Sequence, residues 1–246
     1  MHVAGLWRYP VKSMQGERSE LLEVDETGAV GDRSFGVLDL GTGTVLSAKR
    51  EGRLLEASAR REGADVRVRV PGRPELEPGT ELDAALSSWL GRRVRLVGAD
   101  PARAARFESS ADFEDEEAGV VTWEGVPGSL VDSSPLHLLT TGELADVAAE
   151  RPDLGLDVRR FRPNVLVAAE GPLEPGARYG LGGAVVEVVR PCSRCVVTTR
   201  AQPGGIGREL EVLRHLAAVR SSSLGVLARV VARGGIRDGD RAHRAP

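Results

Sequence analysis

The stretch Asp65-Val66-Arg67-Val68-Arg69-Val70 alternates charged and apolar residues. Because successive side chains of a β-strand point to opposite faces, this alternation predicts a strand with one buried and one solvated face. Further short β-prone runs surround it, separated by Gly, Asp or Thr, at residues 3–9, 20–24, 35–40, 45–48 and 94–97. One short helix is expected at 81–90. Many short strands at this spacing predict a barrel or a compact sheet in the first hundred residues.

The second half of the chain mixes predicted strands with helices. Thr140-Thr141-Gly142-Glu143 has the spacing of a capping box, which predicts a helix from there to about residue 150. Leucines at helical spacing predict another helix within 208–220. Strands are predicted at 136–140, 164–168, 184–190, 196–199 and 226–232, and the last six residues are expected to fray. The expected fold class is β-rich α+β with a few helices.

Residues 101–119 differ in composition from both halves. Six of the ten residues from Glu108 to Glu117 are acidic, and little in this segment could be buried. Such a charge run favours a solvated linker or loop over an acidic recognition element. We therefore predict an N-terminal domain at 1–100, an acidic linker at 101–119 and a second domain at 120–246.

Composition and charge exclude several classes of function. The chain has 246 residues, of which 41% are hydrophobic, which is ample for a core. A net charge of −3 gives no electrostatic support for a nucleic-acid partner. No run approaches the roughly 18 apolar residues of a membrane span. The N-terminus also lacks the layout of a secretion signal. We expect a cytoplasmic protein with reduced thiols.

The two cysteines of the chain stand together in Cys192-Ser193-Arg194-Cys195. Two cysteines cannot build a disulfide framework, a four-thiolate zinc site or a protein-held iron–sulfur cluster, and the four histidines show no metal-ligand spacing. A thioredoxin-type dithiol is disfavoured because the following residues predict a strand rather than a helix. Two interpretations stay open: a buried structural pair, or one nucleophilic or metal-ligating thiolate stabilised by flanking arginines.

Three other polar clusters are candidates for a site. Only two of the 33 basic residues are lysines, so Lys12 marks a position where a compact ammonium is wanted. Arg162 and Asn164 could bind phosphate through a guanidinium fork and an amide, or could be structural. Asp32 could simply pair with a nearby arginine. Asp132 begins an Asp-Ser-Ser-Pro run whose ordinary role is capping or turn formation.

Four motifs occur together in this chain: Tyr9-Pro-Val-Lys-Ser13, Gly31-Asp-Arg33, Phe161-Arg-Pro-Asn164 and Cys192-Ser-Arg-Cys195-Val-Val-Thr-Thr199. In this order and spacing the chain resembles the MOSC proteins with an N-terminal MOSC β-barrel domain, a group that includes the mitochondrial amidoxime-reducing components. The resemblance spans nearly the whole chain. It implies an N-terminal β-barrel-like domain, a MOSC β-barrel domain and a molybdenum cofactor, which is a pterin dithiolene with a terminal phosphate.

The same resemblance implies roles for individual residues. Cys195 would be the protein ligand to molybdenum, since a soft sulfur donor suits that metal. Asp132 would lie near the metal and relay protons, while Cys192 would be structural or supporting. The cofactor-binding residues would be Lys12, Ser13, Arg33, Ser133, Ser134, Arg162, Asn164, Ser193, Arg194 and Cys195.

The activity implied by the resemblance is reduction of small N-hydroxylated or N-oxide-type substrates by a molybdenum-dependent oxidoreductase. The sequence holds no cysteines for an iron–sulfur cluster, so electrons would come from a separate protein of ferredoxin, flavodoxin or cytochrome type. Two alternatives stay open. One is a sulfur-carrier or molybdenum cofactor-handling module with a persulfide on Cys195, because MOSC domains also occur fused to molybdenum cofactor sulfurases. The other is a binding domain without chemistry.

Overall fold

Short strands dominate the computed structural model, which describes residues 1–111 and 119–246. The strands up to the undescribed segment are β1 (His2–Arg8), β2 (Glu17–Arg18), β3 (Leu21–Asp25), β4 (Gly28–Ala29), β5 (Phe35–Asp39), β6 (Ser58–Glu62), β7 (Asp65–Arg69), β8 (Glu75–Leu76), β9 (Val94–Gly98) and β10 (Arg106–Ser110). The strands after it are β11 (Val120–Glu124), β12 (Leu136–Thr140), β13 (Val165–Ala168), β14 (Arg178–Leu181), β15 (Ala184–Ser193), β16 (Ser223–Ala232), β17 (Gly234–Arg237) and β18 (Ala242–Ala245). The α-helices of the described residues are α1 (Thr80–Leu90), α2 (Thr141–Glu150) and α3 (Glu211–Arg220). The predicted β-rich α+β class is confirmed.

The largest sheet has eight strands in the order β18-β14-β15-β16-β12-β13-β1-β2. Its pairings are antiparallel except for the parallel pair β12–β13. One face is apolar and fully buried, with alternate residues such as Val186 and Val188 of β15 pointing into the core. Helix α2 follows β12 directly and begins with the predicted capping box between Thr140 and Glu143. That box satisfies backbone donors at the start of the helix.

A second core forms from β5 to β9 and helix α1. Strands β6, β7 and β8 make one small sheet, and β5 pairs with β9. Val66, Val68 and Val70 of the alternating stretch are all buried there, while Asp65 and Arg69 are exposed. The period-two pattern therefore predicted the buried face correctly, because it reflects the direction of each side chain in a strand.

The core of the large sheet contains residues from both of the predicted ranges, 1–100 and 120–246. Strand β1 pairs with β13, and β3 pairs with β17 near the other end of the chain. Residues of β1 and β3, such as Val3 and Leu22, lie in the core of the large sheet. Burial is decided by which strand edges and apolar faces complete each other, so the N-terminal strands pack with the second half of the chain.

The segment predicted as a linker is partly a β-hairpin arm. Strand β10 pairs with β11 through five residue pairs, from Arg106 opposite Glu124 to Ser110 opposite Val120. Phe107 at the base of this arm is fully buried and bridges to Val45. Residues 112–118, which hold most of the acidic run, lie outside the described residues.

Other sequence-based expectations differ from the structure. Val196–Thr199 is a 3-10 helix, not a strand, because its backbone bonds locally, as from Thr198 N to Cys195 O at 3.0 Å. Residues 45–48 make only isolated bridges. The last residues do not fray, since β18 pairs with β14. No helix in the described part of the chain has the length and apolar character needed to cross a membrane.

Candidate functional site

All eleven residues assigned to a site from the sequence line one cavity of about 170 Å³. They come from five separate parts of the chain: the segment after β1, the turn before β5, the loop before β12, the residues before β13 and the end of β15. They are Lys12, Ser13, Arg33, Asp132, Ser133, Ser134, Arg162, Asn164, Ser193, Arg194 and Cys195. The fold thus brings together residues that lie up to about 180 positions apart, as between Lys12 and Cys195.

Arg33 is the one cavity arginine with a carboxylate partner among the described residues. Its guanidinium pairs with Asp32, whose side chain is 2% exposed. Burial works against the charge of Arg33, but the Asp32 carboxylate more than offsets it and raises the pKa of Arg33. Arg33 also donates to Asn164 Oδ1 at 3.3 Å. The expected pairing of Asp32 with an arginine is observed.

Asn164 organises the cavity wall through hydrogen bonds within the protein. Its Oδ1 accepts from Arg33 Nη1 at 3.3 Å and from His137 N at 3.1 Å, and its Nδ2 donates to Trp7 O at 3.4 Å. Its side chain is 1% exposed. Most of its amide is therefore engaged by the protein, which connects β1, β12 and β13 at the floor of the cavity.

Arg162 and Arg194 are cationic groups without a carboxylate within 4 Å in the described part of the chain. Arg162 donates from Nη1 to Met14 O at 2.7 Å, and burial lowers its pKa to about 10. Arg194 donates to Phe161 O at 2.7 Å, and its buried Nε has no hydrogen-bond partner. Arg162 is buried and Arg194 is half-buried. A buried charge without a counter-ion is costly, so an anion in the cavity would stabilise Arg162 most.

The backbone at the cavity is strained. Ser13, Arg33 and Arg162 have positive φ angles of 69°, 44° and 53°, a region that residues with a Cβ seldom adopt. Each such conformation costs on the order of 1–3 kcal/mol, and strained residues of this kind cluster at functional sites. All three of these residues line the cavity.

Both lysines of the chain meet on one carboxylate at the cavity. Lys12 Nζ lies 2.5 Å from Asp132 Oδ1 and donates to Leu130 O at 2.9 Å, and Lys49 Nζ lies 3.1 Å from Asp132 Oδ2. Although burial works the other way, the two ammonium groups hold the pKa of the Asp132 carboxyl well below its usual range. Burial lowers the pKa of Lys12. Asp132 is therefore ionised at neutral pH.

Each lysine also lies over an aromatic ring of the β10–β11 arm. Lys12 Nζ is 4.4 Å from the Phe107 ring centroid, and Lys49 Nζ is 4.5 Å from that of Trp123. The two rings contact each other with centroids 5.7 Å apart. Cation–π contacts of this kind stabilise by about 0.5–2 kcal/mol each, and they connect the arm to the cavity. Sequence reasoning assigned no role to Lys49, although the rarity of lysine marked it.

The two thiols differ in their surroundings. Cys192 is buried at the end of β15, and its Sγ accepts from Arg194 Nη1 at 2.9 Å. Cys195 is half-buried, precedes the 3-10 helix Val196–Thr199, and forms no hydrogen bond through Sγ with the described residues. Both line the cavity. Cys195 is the thiol left open to a ligand.

His137 is a lining residue that sequence reasoning did not assign. Burial and the neighbouring Arg194 guanidinium lower the pKa of His137 well below 6.5, so its ring is neutral. Its Nε2 lies 3.3 Å from Arg194 Nη1. The other lining residues without an assigned role are Ser47, Val131, Phe161, Val197 and Leu227. Phe161 and Val197 stand inside quoted motifs without an assigned role, whereas His137, Ser47 and Leu227 belong to no motif and reach the cavity only through the fold.

The donor groups of the cavity include one open thiol rather than a metal cage. Across residues 1–111 and 119–246, no three His, Cys, Asp or Glu side chains come together as a metal site. The arrangement combines three arginines, a buried lysine, several hydroxyls and Cys195. It can bind an extended anionic molecule and present one thiol to it.

Two domain families match the sequence. The MOSC N-terminal beta barrel domain matches residues 1–112, and the MOSC domain matches residues 126–243. The chain is 23% identical to the mitochondrial amidoxime reducing component 2 of Macaca fascicularis, over 98% of the chain and 83% of that protein. It is 25% identical to the mitochondrial amidoxime-reducing component 1 of Homo sapiens, over 89% of the chain and 72% of that protein. The crystal structure of the YUAD protein from Bacillus subtilis aligns with 99% of this chain and 96% of that chain at 13% identity, with a TM-score of 0.43.

Proposed function

Because this chain belongs to the proteins that combine an N-terminal MOSC beta barrel domain with a MOSC domain, we propose that its cavity holds a molybdenum cofactor and that the protein is a molybdenum-dependent oxidoreductase. One observation carries the proposal. Arg162 and Arg194 are cations at the cavity with no carboxylate partner among the described residues, and Cys195 opens onto the same space. A phosphate-bearing pterin with a metal at its other end would use both features.

The side chains present fit such a group. The guanidinium of Arg162 has further N–H groups beyond the one bound to Met14, and the buried Nε of Arg194 lacks a partner. Charge-assisted bonds to phosphate or pterin oxygens would satisfy them. We assign pterin and phosphate binding to the lysine, arginines, hydroxyls and amide of the cavity, which are Lys12, Ser13, Arg33, Ser133, Ser134, Arg162, Asn164, Ser193 and Arg194.

Cys195 supplies the donor for the metal end. A half-buried thiol without a hydrogen bond to the described residues can lose its proton to a metal, and thiolate sulfur is a soft ligand. Cys192 is held by Arg194 and is assigned a supporting role. When bound, the cofactor supplies two-electron redox chemistry, which we propose serves the reduction of small N-hydroxylated or N-oxide-type substrates.

Asp132 acts in this proposal by fixing two ammonium groups at the cavity. Its pKa lies well below the usual range because Lys12 and Lys49 both contact it, so it has no proton to donate at neutral pH. Its proton-relay role stays a prediction that requires the lysines to move away. Electrons would come from a separate electron-transfer protein of ferredoxin, flavodoxin or cytochrome type.

Metal and pterin analysis of protein made in a cofactor-competent host tests the proposal. We expect molybdenum and pterin in the wild type, loss of molybdenum with retained pterin in Cys195→Ser, and retention of both in the matched variant Cys192→Ser. N-reduction with an artificial electron donor should follow the molybdenum content. Absent molybdenum, or full retention in Cys195→Ser, would contradict the proposal. A persulfide on Cys195 without metal, detected by intact mass, would favour the sulfur-carrier alternative.

A further inference from the structure

Arg33 and Arg162 of the cavity meet on a single aromatic ring. The guanidinium carbon of Arg33 lies 4.6 Å from the centroid of the Tyr9 ring, and that of Arg162 lies 4.1 Å from it. Tyr9 is 3% exposed and is not among the residues that line the cavity. Its ring therefore contacts both arginines from within the protein.

Tyr9 is itself held firmly in place. Its backbone N donates to Asp32 Oδ1 at 2.7 Å, its carbonyl accepts from Arg33 N at 2.7 Å, and its hydroxyl donates to Pro163 O at 3.2 Å. Burial raises the pKa of Tyr9 to about 12, so the hydroxyl keeps its proton and remains a donor. Pro163 follows Arg162, so the same ring is tied to the backbone beside both arginines.

A guanidinium that lies against a ring uses its face for that contact and leaves its in-plane N–H groups for hydrogen bonds. Arg162 donates one N–H to Met14 O. Arg33 donates N–H groups to Asp32, to Asn164 and to the Arg162 carbonyl. The charge of Arg33 works against that of Arg162 and lowers its pKa further. The ring holds two like charges close together; Asp32 pairs with Arg33, and an oxyanion in the cavity would offset the repulsion that remains.

We infer that Tyr9 is a positioning residue, whose ring holds the guanidinium groups of Arg33 and Arg162 so that their N–H edges converge on an oxyanion in the cavity. The chemical class of the ligand is a phosphate monoester, and its assignment to the end of a cofactor rests on the proposed function. The positive φ angles of Arg33 and Arg162 support this role, because such strained backbone angles persist at sites where the position of the side chain is needed for function.

The test uses the full chain purified without cofactor, with inorganic phosphate as the probe and calorimetry as the readout. Tyr9→Leu removes the ring, and we expect phosphate to bind about tenfold more weakly, since both guanidinium groups lose the ring face that holds them. Tyr9→Phe keeps the ring and loses only the hydroxyl bond to Pro163, so its affinity should stay within about threefold of the wild type. Recovery by phenylalanine distinguishes ring contact from general packing.

The other tyrosine of the chain provides a matched control. Tyr179 is 5% exposed, lies in the large sheet at β14, and accepts a hydrogen bond from Glu174 N at 3.1 Å. Tyr179→Leu should destabilise the fold to an extent comparable with Tyr9→Leu and leave phosphate affinity unchanged. Thermal unfolding of each variant measures that destabilisation.

If Tyr9→Leu fails to fold, pentafluorophenylalanine incorporated at position 9 replaces it, because this residue keeps the shape of phenylalanine and reverses the charge of the ring face. Its phosphate affinity should again fall about tenfold below that of Tyr9→Phe. Wild-type binding with unchanged affinity in the folded ring variants would overturn the role of Tyr9 and leave the proposed function standing. No phosphate binding by the wild type would also overturn the role of Tyr9, while the metal and pterin content decides the proposed function separately.

Discussion

Replacing Asp132 by asparagine should reveal how strongly the cavity depends on the carboxylate between its two lysines. The change keeps the shape of the side chain and removes its charge. Lys12 would then retain a hydrogen bond to Leu130 O and a contact with the Phe107 ring, but no counter-ion within reach among the described residues. A nearly buried ammonium would be left without its partner.

The size of the effect follows from the exposure of the two groups. The Lys12 side chain is 6% exposed and the Asp132 side chain 43% exposed. Breaking a buried pair costs about 3–5 kcal/mol, whereas exposed pairs contribute about 0–1 kcal/mol. Because one partner is buried and the other reaches solvent, we expect Asp132→Asn to lower the free energy of unfolding by about 2 kcal/mol.

Urea unfolding at pH 7 would measure this loss in a double-mutant cycle with Lys12→Met. The double variant no longer leaves the Lys12 ammonium unpaired, and Lys49 loses its carboxylate equally in the single and the double variant. The double variant should therefore be more stable than the sum of the single effects predicts, with a coupling energy of about 1–2 kcal/mol. Asp238→Asn serves as control, because the pair of Asp238 with Arg18 is exposed, at 37% and 63%. It should change stability by less than about 0.5 kcal/mol.

The deficit of Asp132→Asn should also shrink as the pH rises from 7 to about 10. Burial already lowers the pKa of Lys12, and without the carboxylate it falls further. The folded variant can then hold a neutral amine, while the unfolded chain keeps the proton until about pH 10.4, so rising pH favours folding. Additive effects of Asp132→Asn and Lys12→Met at pH 7, or a deficit that does not change with pH, would refute the reasoning.

Three further outcomes are expected. Arg162→Met should abolish phosphate binding in calorimetry and keep the free energy of unfolding within about 1 kcal/mol of the wild type. The substitution removes a burial cost of about 3 kcal/mol together with one hydrogen bond and one ring contact. A large loss of stability would show that the charge is compensated within the protein. Unfolded histidine takes up a proton near pH 6.5 and folded His137 does not, so the free energy of unfolding of the wild type should fall by up to about 1.4 kcal/mol per pH unit below 6.5 through this group. In urea unfolding at about pH 6.5 and 5.5, His137→Gln should flatten that dependence. Identical slopes in the two proteins would contradict the neutral ring. Phe107→Ala should lower the free energy of unfolding by about 3–5 kcal/mol in the same assay, since this fully buried ring contacts both Lys12 and Trp123. A loss below about 1 kcal/mol would mean that the arm does not pack as described.

Patterns that depend on local geometry were predicted well. The capping box at Thr140 and Glu143 begins α2, and the alternation from Asp65 to Val70 marks the buried face of β7. Both concern residues a few positions apart, whose relation is set by the helix or strand itself. The prediction for Val196–Thr199 was wrong because β-branched composition is a weak signal when tertiary packing favours a 3-10 helix.

The residues of the candidate site also divide into those that sequence motifs predicted and those that only the fold revealed. Its eleven assigned residues lie in one cavity, and their motifs were visible as short runs in the sequence. Contacts with distant residues give Tyr9, Lys49 and His137 their roles, and no spacing in the sequence predicts those contacts. Exposure and charge pairing had to be read from the folded protein.

The sequence by itself determined the abundance of short strands, the faces they bury and the shortage of cysteines for an iron–sulfur cluster, because periodicity and residue counts follow directly from the order of the chain. Only the tertiary structure decided that β1 joins the sheet of the second half and that the two lysines share Asp132. The physical reason is that strand edges, apolar faces and buried charges must each find a partner, and that partner is chosen by proximity in space rather than along the chain.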